Sequence, residues 1–236
     1  MAVERKTLTQ LSVPICLETL FYMLSGMVDT LMLSSVGDQA VGAVGTANTY
    51  IGVFIIMFGV ISSGMVAVMS QNIGAGRPGI AYQARQLGLL FNASPGILMS
   101  VILAFCSGRI LKVVSIAPAL LEPAETYLKI VGGACFLNAL IPIFSSYLRV
   151  FGYTKHSLIG TIVGNAVNII FNSVFLFVFK WGVMGVAVAT VISKVVNLII
   201  VAAMGAVLIK AKQSPERIQP RKILAQIVKI GFPSAL

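Results

Sequence analysis

Along the chain, apolar residues come in long unbroken runs, separated by short stretches rich in Gly, Pro and charge. The runs neither alternate as strands do nor confine their apolar positions to one helical stripe, as a surface helix does. A segment of about 20 mostly apolar residues covers the roughly 30 Å of hydrocarbon in a bilayer. Six runs meet that length, over residues 8–34, 40–70, 87–107, 127–149, 157–179 and 185–209. Lipid admits only helices or closed barrels, and barrel strands alternate, so the pattern predicts six membrane-spanning helices. The fold class expected is an all-α integral membrane protein, a six-transmembrane-helix bundle. The first run follows Glu4-Arg5-Lys6 and is too long and too polar inside for a signal peptide, so it counts as a span.

Composition agrees. Of 236 residues, 58% are hydrophobic and 10% charged, against about 25% charged in a soluble domain. That excludes an ordinary soluble enzyme, because the surface of such a globule must be polar. No catalytic residue and no cofactor are assigned. Cys16, Cys106 and Cys135 stand singly in apolar runs, the habit of small buried residues and not of a disulfide framework or a structural metal site.

The net charge of +10 would suggest nucleic acid in a soluble protein. Here the basic residues sit between spans and carry no interleaved aromatics, so no nucleic-acid partner is expected. On the side of the N-terminus lie Arg5, Lys6, Arg77, Arg85, Arg149, Lys155, Lys210, Lys212, Arg217, Arg221, Lys222 and Lys229, 12 in all. The other side has 4, Arg109, Lys112, Lys129 and Lys180, with Asp38, Glu122 and Glu125. The positive-inside rule places both termini in the cytoplasm of a multi-pass protein of the cell's inner (plasma) membrane.

The last residues resemble a restart. Shifted by 219 positions, Ile227, Ile230, Pro233 and Leu236 fall on Leu8, Leu11, Pro14 and Leu17. Two parallel six-helix copies are a recurrent transporter plan. The expected organisation is a six-helix lobe over 1–209, a cytoplasmic inter-lobe linker over 210–224, and the start of a seventh helix over 225–236, with a second lobe as the missing partner.

Glu18 and Asp29 are the only acidic residues within spans. An ionisable group at depth normally faces a cavity or a partner. Eleven residues is three helical turns plus about 20°, so the two share a face with Tyr22 and Ser25 between them. Glu18 reads equally well as a solvated interfacial group. On the fifth run Asn165, Asn168 and Asn172 share a face, beside the small-xxx-small pair Gly160 and Gly164 that suits close helix packing. On the sixth, Thr190, Lys194 and Asn197 do the same, and a carboxylate partner is expected for Lys194. Measured from the outer ends, Asp29 and Thr190 are about 8 Å deep, Asn172 about 10 Å and Asn168 about 16 Å, so one pocket can hold them. The candidate coupling and substrate pocket is therefore Asp29, Asn168, Asn172, Thr190 and Lys194, with Glu18, Tyr22 and Asn165 as further candidates. One carboxylate, two amide carbonyls and a hydroxyl, from Asp29, Asn168, Asn172 and Thr190, offer part of a sodium shell. The ammonium of Lys194 repels sodium, which favours protons as the coupling ion.

Several stretches together resemble the N-terminal half of the multidrug and toxic compound extrusion (MATE) transporters. They are Val28-Asp29-Thr30-Leu31-Met32-Leu33-Ser34, Ser70-Gln71 with Gly74-Ala75-Gly76, Leu148-Arg149-Val150-Phe151-Gly152-Tyr153-Thr154-Lys155, Gly164-Asn165-Ala166-Val167-Asn168, and Gly182-Val183-Met184-Gly185 through Ser193. The resemblance implies twelve helices in two lobes and an antiporter. Such a protein exports amphipathic, often cationic compounds by alternating access, in exchange for protons or sodium ions. It also implies that Asp29, Asn168 and Thr190 are cation-site positions. Asn172 stands where many members have aspartate, and Lys194 where glutamine is usual.

Other readings fail on context. Gly74-Ala75-Gly76-Arg77-Pro78-Gly79 fits a nucleotide-binding spacing but follows a membrane helix, so it reads as a cytoplasmic turn. Ser62-Ser63-Gly64 has no base within reach, because the lone His156 lies in a loop. A channel assembled from several chains is the alternative to a carrier, but no selectivity constriction is visible in the sequence.

Overall fold

A computed structural model describes residues 8–209, 219–231 and 233. Five helices are long and apolar enough to cross a membrane singly, and a bent pair makes a sixth span. They are α1 (Leu8–Ser34), α2 (Asp38–Gly74), α3 (Pro78–Val113), the pair α4 (Pro118–Tyr127) and α5 (Phe136–Val150), α6 (Thr154–Ser173) and α7 (Gly182–Leu208). A shorter helix, α8 (Pro220–Gly231), follows. No strand occurs among the described residues. The bundle is the six-span helical fold expected from the apolar runs. Arg5, Lys6, Lys210, Lys212 and Arg217 of the topology count, and most of the 210–224 linker, lie outside the described residues.

Short turns make successive spans antiparallel, so the bundle has an Asp38 face and an Arg77 face. The turn from α2 to α3 on the Arg77 face uses Gly76 at φ +73°, a conformation that costs glycine nothing, and Pro78 opens α3 at its first helical position. The Gly-rich stretch is thus a helix connection.

The fourth span departs from expectation. It runs from Pro118, not 127, and bends by 43° between Gly132 and Phe136, after a single π turn over Leu128–Gly132. Glu122, Glu125 and Lys129 make its first turns look like loop, yet Lys129 pairs with Glu125 at 3.7 Å one turn away on the same helix. A break at membrane depth frees backbone groups that must find partners. Ser100 of α3 accepts the Phe136 N–H at 2.9 Å, and Asn92, fully buried, donates to the Ala139 and Phe58 carbonyls at 3.3 Å each. α3 therefore splints the bend.

Two apolar layers fill the interior. Toward the Asp38 face, Ala43, Ala47, Ile51 and Phe58 of α2 meet Leu103, Leu111, Leu128 and Val186. Toward the Arg77 face, Met65, Val68 and Met69 meet Ala84, Ile143, Tyr147, Val201 and, from α8, Ile223 and Ile227. α6 and α7 pack closely: a Cβ at Gly160 would lie 2.7 Å from Val201 Cγ1, and one at Gly164 would lie 3.2 Å from Asn197 Cβ. Helix α8 begins five residues before the expected 225 and docks on α2. A Cβ at Gly64 would overlap the Ile227 carbonyl, and one at Gly231 the Val60 carbonyl.

The charge count predicts the Arg77 face to be cytoplasmic. In a background free of Cys16, Cys106 and Cys135, a cysteine at Lys155 is expected to react with impermeant maleimide only from inside, and one at Asp38 only from outside. The reverse labelling overturns the orientation.

Candidate functional site

Helix α1 lies against α6, and its inward stripe (Pro14, Glu18, Phe21, Ser25, Asp29 and Leu33) is what the 3.6-residue period places on one side. Its opposite side leaves Met23, Met27 and Leu31 at 62–71% exposure, as lipid permits. On α6, Asn168 and Asn172 are one turn apart and buried, at 2% and 0% exposure. The Asn172 amide donates to Asp29 Oδ1 at 2.6 Å and to Asn168 Oδ1 at 3.1 Å. Asn172 Oδ1 is buried with no hydrogen-bond partner. Sequence reasoning expected these three side chains in one pocket, and the geometry brings them together.

Thr190 is buried on α7, its hydroxyl donating to the Val186 carbonyl one turn earlier at 2.8 Å. Between Thr190 and Asp29 stands Tyr127, 3% exposed, in side-chain hydrogen-bond contact with Thr190 and with Asn48 of α2 and within electrostatic range of Asp29. Sequence reasoning missed Tyr127 and Asn48. With the fourth span started at 127, Tyr127 fell at the very end of its helix. The helix actually begins nine residues earlier, which carries Tyr127 about 14 Å inward. Had the Glu125–Lys129 spacing been read as a helical ion pair, it would have signalled this.

Lys194 lies within electrostatic range of Asp29 and of Cys135 but forms no ion pair with Asp29. The ion pairs among the described residues are Lys129–Glu125 and Arg149–Glu18, and Lys194, half-buried, forms neither a hydrogen bond nor an ion pair with a described residue. The reason is depth. α7 starts at Gly182, three residues earlier than expected, so Lys194 lies about 18 Å from the Asp38 face and Asp29 about 8 Å. The Asn172 amide meanwhile supplies the donor that Asp29 needs.

The further candidates have separate roles. Glu18 is not simply solvated: Ser157, fully buried, donates to its Oε1 at 2.9 Å, and Arg149 Nη1 lies 3.9 Å from Oε2. Arg149 Nη2 donates to Ser146 at 3.3 Å, so this cluster ties α1 to α5 and α6 near the Arg77 face. Asn165 donates to the Phe21 carbonyl at 2.7 Å, holding α1 on α6. Tyr22 is 61% exposed and lies within electrostatic range of Tyr127. Glu18→Ala, which strands the Ser157 hydroxyl and the Arg149 charge, is expected to cost about 1–3 kcal/mol. Glu18→Gln, which keeps an acceptor, is expected to cost less. Thermal midpoints of the two variants in detergent check the order.

A six-span helical lobe with one carboxylate clamped by paired asparagines is the class that fold and site define. The chain belongs to the MatE family, whose model matches residues 14–174. It is 34% identical over 235 residues to the Bacillus subtilis protein described as an uncharacterized transporter, YisQ, covering 97% of this chain and 52% of that one. It is 26% identical over 240 residues to a probable multidrug resistance protein, NorM, of Thermotoga maritima, covering 98% and 51%. The fold superposes with a TM-score of 0.83 at 22% identity on the outward-facing conformation of a multidrug resistance MATE family transporter, covering 96% of this chain and 51% of that one. The chain spans about half the length of the relatives it matches.

Proposed function

We propose that the chain is the N-terminal lobe of a multidrug antiporter of the inner membrane. It works with a second six-helix lobe by alternating access, exports amphipathic compounds, and takes in protons in exchange. It performs no chemical conversion and needs no cofactor. The carrying observation is the Asp29–Asn172–Asn168 chain, one carboxylate held at depth by an amide that α6 buries completely. Both termini face the cytoplasm in this reading, so the pocket opens outward.

The donor arrangement favours protons over sodium. A sodium ion needs several oxygens pointing at one place. Here the oxygens of Asp29 and Asn168 both point at the Asn172 NH2 group, which occupies the spot a cation would need. A proton needs no such vacancy. When Asp29 is protonated, its O–H requires an acceptor, and rotation of the Asn172 amide presents the otherwise partnerless Oδ1. The amide can therefore serve both protonation states. The carboxylate then holds either a proton or a positively charged part of the substrate, and that competition is the minimum for exchange.

The test is the chain joined to a C-terminal six-helix lobe, reconstituted in liposomes with each ion gradient imposed separately. An outside-acid gradient is expected to drive export with sodium absent. Export driven by sodium at fixed pH, with no response to a proton gradient, overturns the proton reading. Single-channel currents from the same preparation would favour a pore over a carrier.

A further inference from the structure

Near the Arg77 face, Arg85 of α3 is set among three aromatic rings. Its guanidinium carbon lies 4.6 Å from the centre of the Tyr147 ring, 4.8 Å from that of Tyr82 and 5.9 Å from that of Phe144. Tyr147 and Phe144 belong to α5, so these side chains line a groove between α3 and α5. Tyr147, 1% exposed, is its floor, and Tyr82 and Phe144, half-buried, are its walls. Ring faces attract the charge of a guanidinium but leave its in-plane N–H donors unmet. Among the described residues Arg85 forms no hydrogen bond and no ion pair. Its Nε is buried without an acceptor, and so is the Tyr147 hydroxyl. The two Nη groups, neither buried nor bonded, are the open edge of the groove.

Depth decides what meets that edge. Helix α3 has 36 residues, about 54 Å of length, and exceeds the hydrocarbon by about 24 Å. Shared equally, the excess leaves about 12 Å of helix beyond the hydrocarbon at each end. Arg85, seven residues after Pro78, stands about 10 Å in from its end, at the level where lipid phosphates begin. We infer that the groove between α3 and α5 binds the phosphate of an anionic phospholipid on the paired Nη groups of Arg85. Two phosphate oxygens match the two arms of a guanidinium fork. The surroundings select an anionic lipid over a zwitterionic one. Arg77 precedes α3, and α8, which touches α3 as well as α2, carries exposed Arg221 and Lys222. A choline ammonium would meet these charges, and a glycerol headgroup would not. The charge count turns this face toward the cytoplasm, the leaflet that carries anionic lipid. The bound lipid bridges the two helices on either side of the bend's splint, so occupancy stabilises the lobe by mass action. None of this requires that the lobe transport anything.

Native mass spectrometry of the full chain, from detergent holding equimolar phosphatidylglycerol and phosphatidylcholine, reads the first lipid bound. Phosphatidylglycerol is expected to be favoured by about tenfold. Arg85→Gln is expected to bring the two within about twofold, and Arg85→Lys, which keeps the charge but not the fork, to fall between. Arg221→Gln combined with Lys222→Gln thins the surrounding charge but leaves the groove, and should keep most of the preference. A ratio unchanged in Arg85→Gln, or lowered as far by the α8 pair, overturns the proposal. Should Arg85→Gln not fold, the unaltered chain decides alone, because equal binding of the two lipids overturns it as well. The thermal midpoint separates lipid from free phosphate. Phosphatidylglycerol is expected to raise it in the unaltered chain and not in Arg85→Gln, while inorganic phosphate raises it in neither. A rise with inorganic phosphate that Arg85→Gln removes would overturn the lipid as the ligand.

Discussion

Asp29→Asn is expected to abolish proton-coupled export while leaving the lobe folded. The substituted amide nearly matches the carboxyl in shape and keeps an oxygen for the Asn172 N–H, so the α1–α6 contact survives. What disappears is the sole carboxylate of the pocket and with it the ability to hold a proton. Export driven by an outside-acid gradient in two-lobe liposomes should fall to the level of empty vesicles. The thermal midpoint should move by no more than about 1 kcal/mol of stability, the scale of one exchanged hydrogen bond. Coupled export that persists in this variant would show that another residue carries the proton. Asn172→Leu provides the contrast. It removes the clamp, leaves the carboxylate without its 2.6 Å donor, and is expected to weaken both coupling and stability.

The second large effect concerns α8. Gly64→Val is expected to detach α8 from α2, because the new side chain must enter the space of the Ile227 carbonyl, and a helix backbone cannot swing aside as a flexible side chain can. Overpacking of this kind costs about 3 kcal/mol, which raises the undocked population by about two orders of magnitude. Amide exchange over residues 223–231 reads it directly: slow in the unaltered chain, fast in the variant. Gly74→Ala is the control. Nothing lies within 4 Å of a Cβ there, and exchange in α8 should not change. Slow exchange in Gly64→Val would mean that the docking of α8 does not depend on the close approach at Gly64.

The spans were legible because length and apolarity alone decide them. Asp29, Asn168 and Asn172 were legible because polar residues at depth are few and helical spacing puts them on facing stripes. The bend of the fourth span was not. Pro123 and Pro142 lie inside its helices, and the groups that stabilise the break, Asn92 and Ser100, come from α3, about 40 residues away in sequence. Tyr127 was lost with that boundary. A carboxylate partner for Lys194 was expected from its depth and its place one turn from Thr190; Asp29 lies within electrostatic range, but α7 begins three residues earlier than expected and no ion pair forms. Ser62-Ser63-Gly64 looked like a candidate nucleophile motif. Its glycine instead makes room for α8, a contact across more than 160 residues that no local pattern reveals.

The central claim is that Asp29 holds a proton which substrate displaces. The most direct measurement is proton release from the purified two-lobe protein, in weakly buffered detergent with a pH indicator, on addition of a saturating rhodamine ester, an amphipathic cationic dye with no titrating carboxyl. The account predicts release of about half a proton per molecule at the middle of the Asp29 titration, rising toward one below it, with none from Asp29→Asn. Equal release from the two proteins, or binding of the dye with no release at any pH, would contradict it.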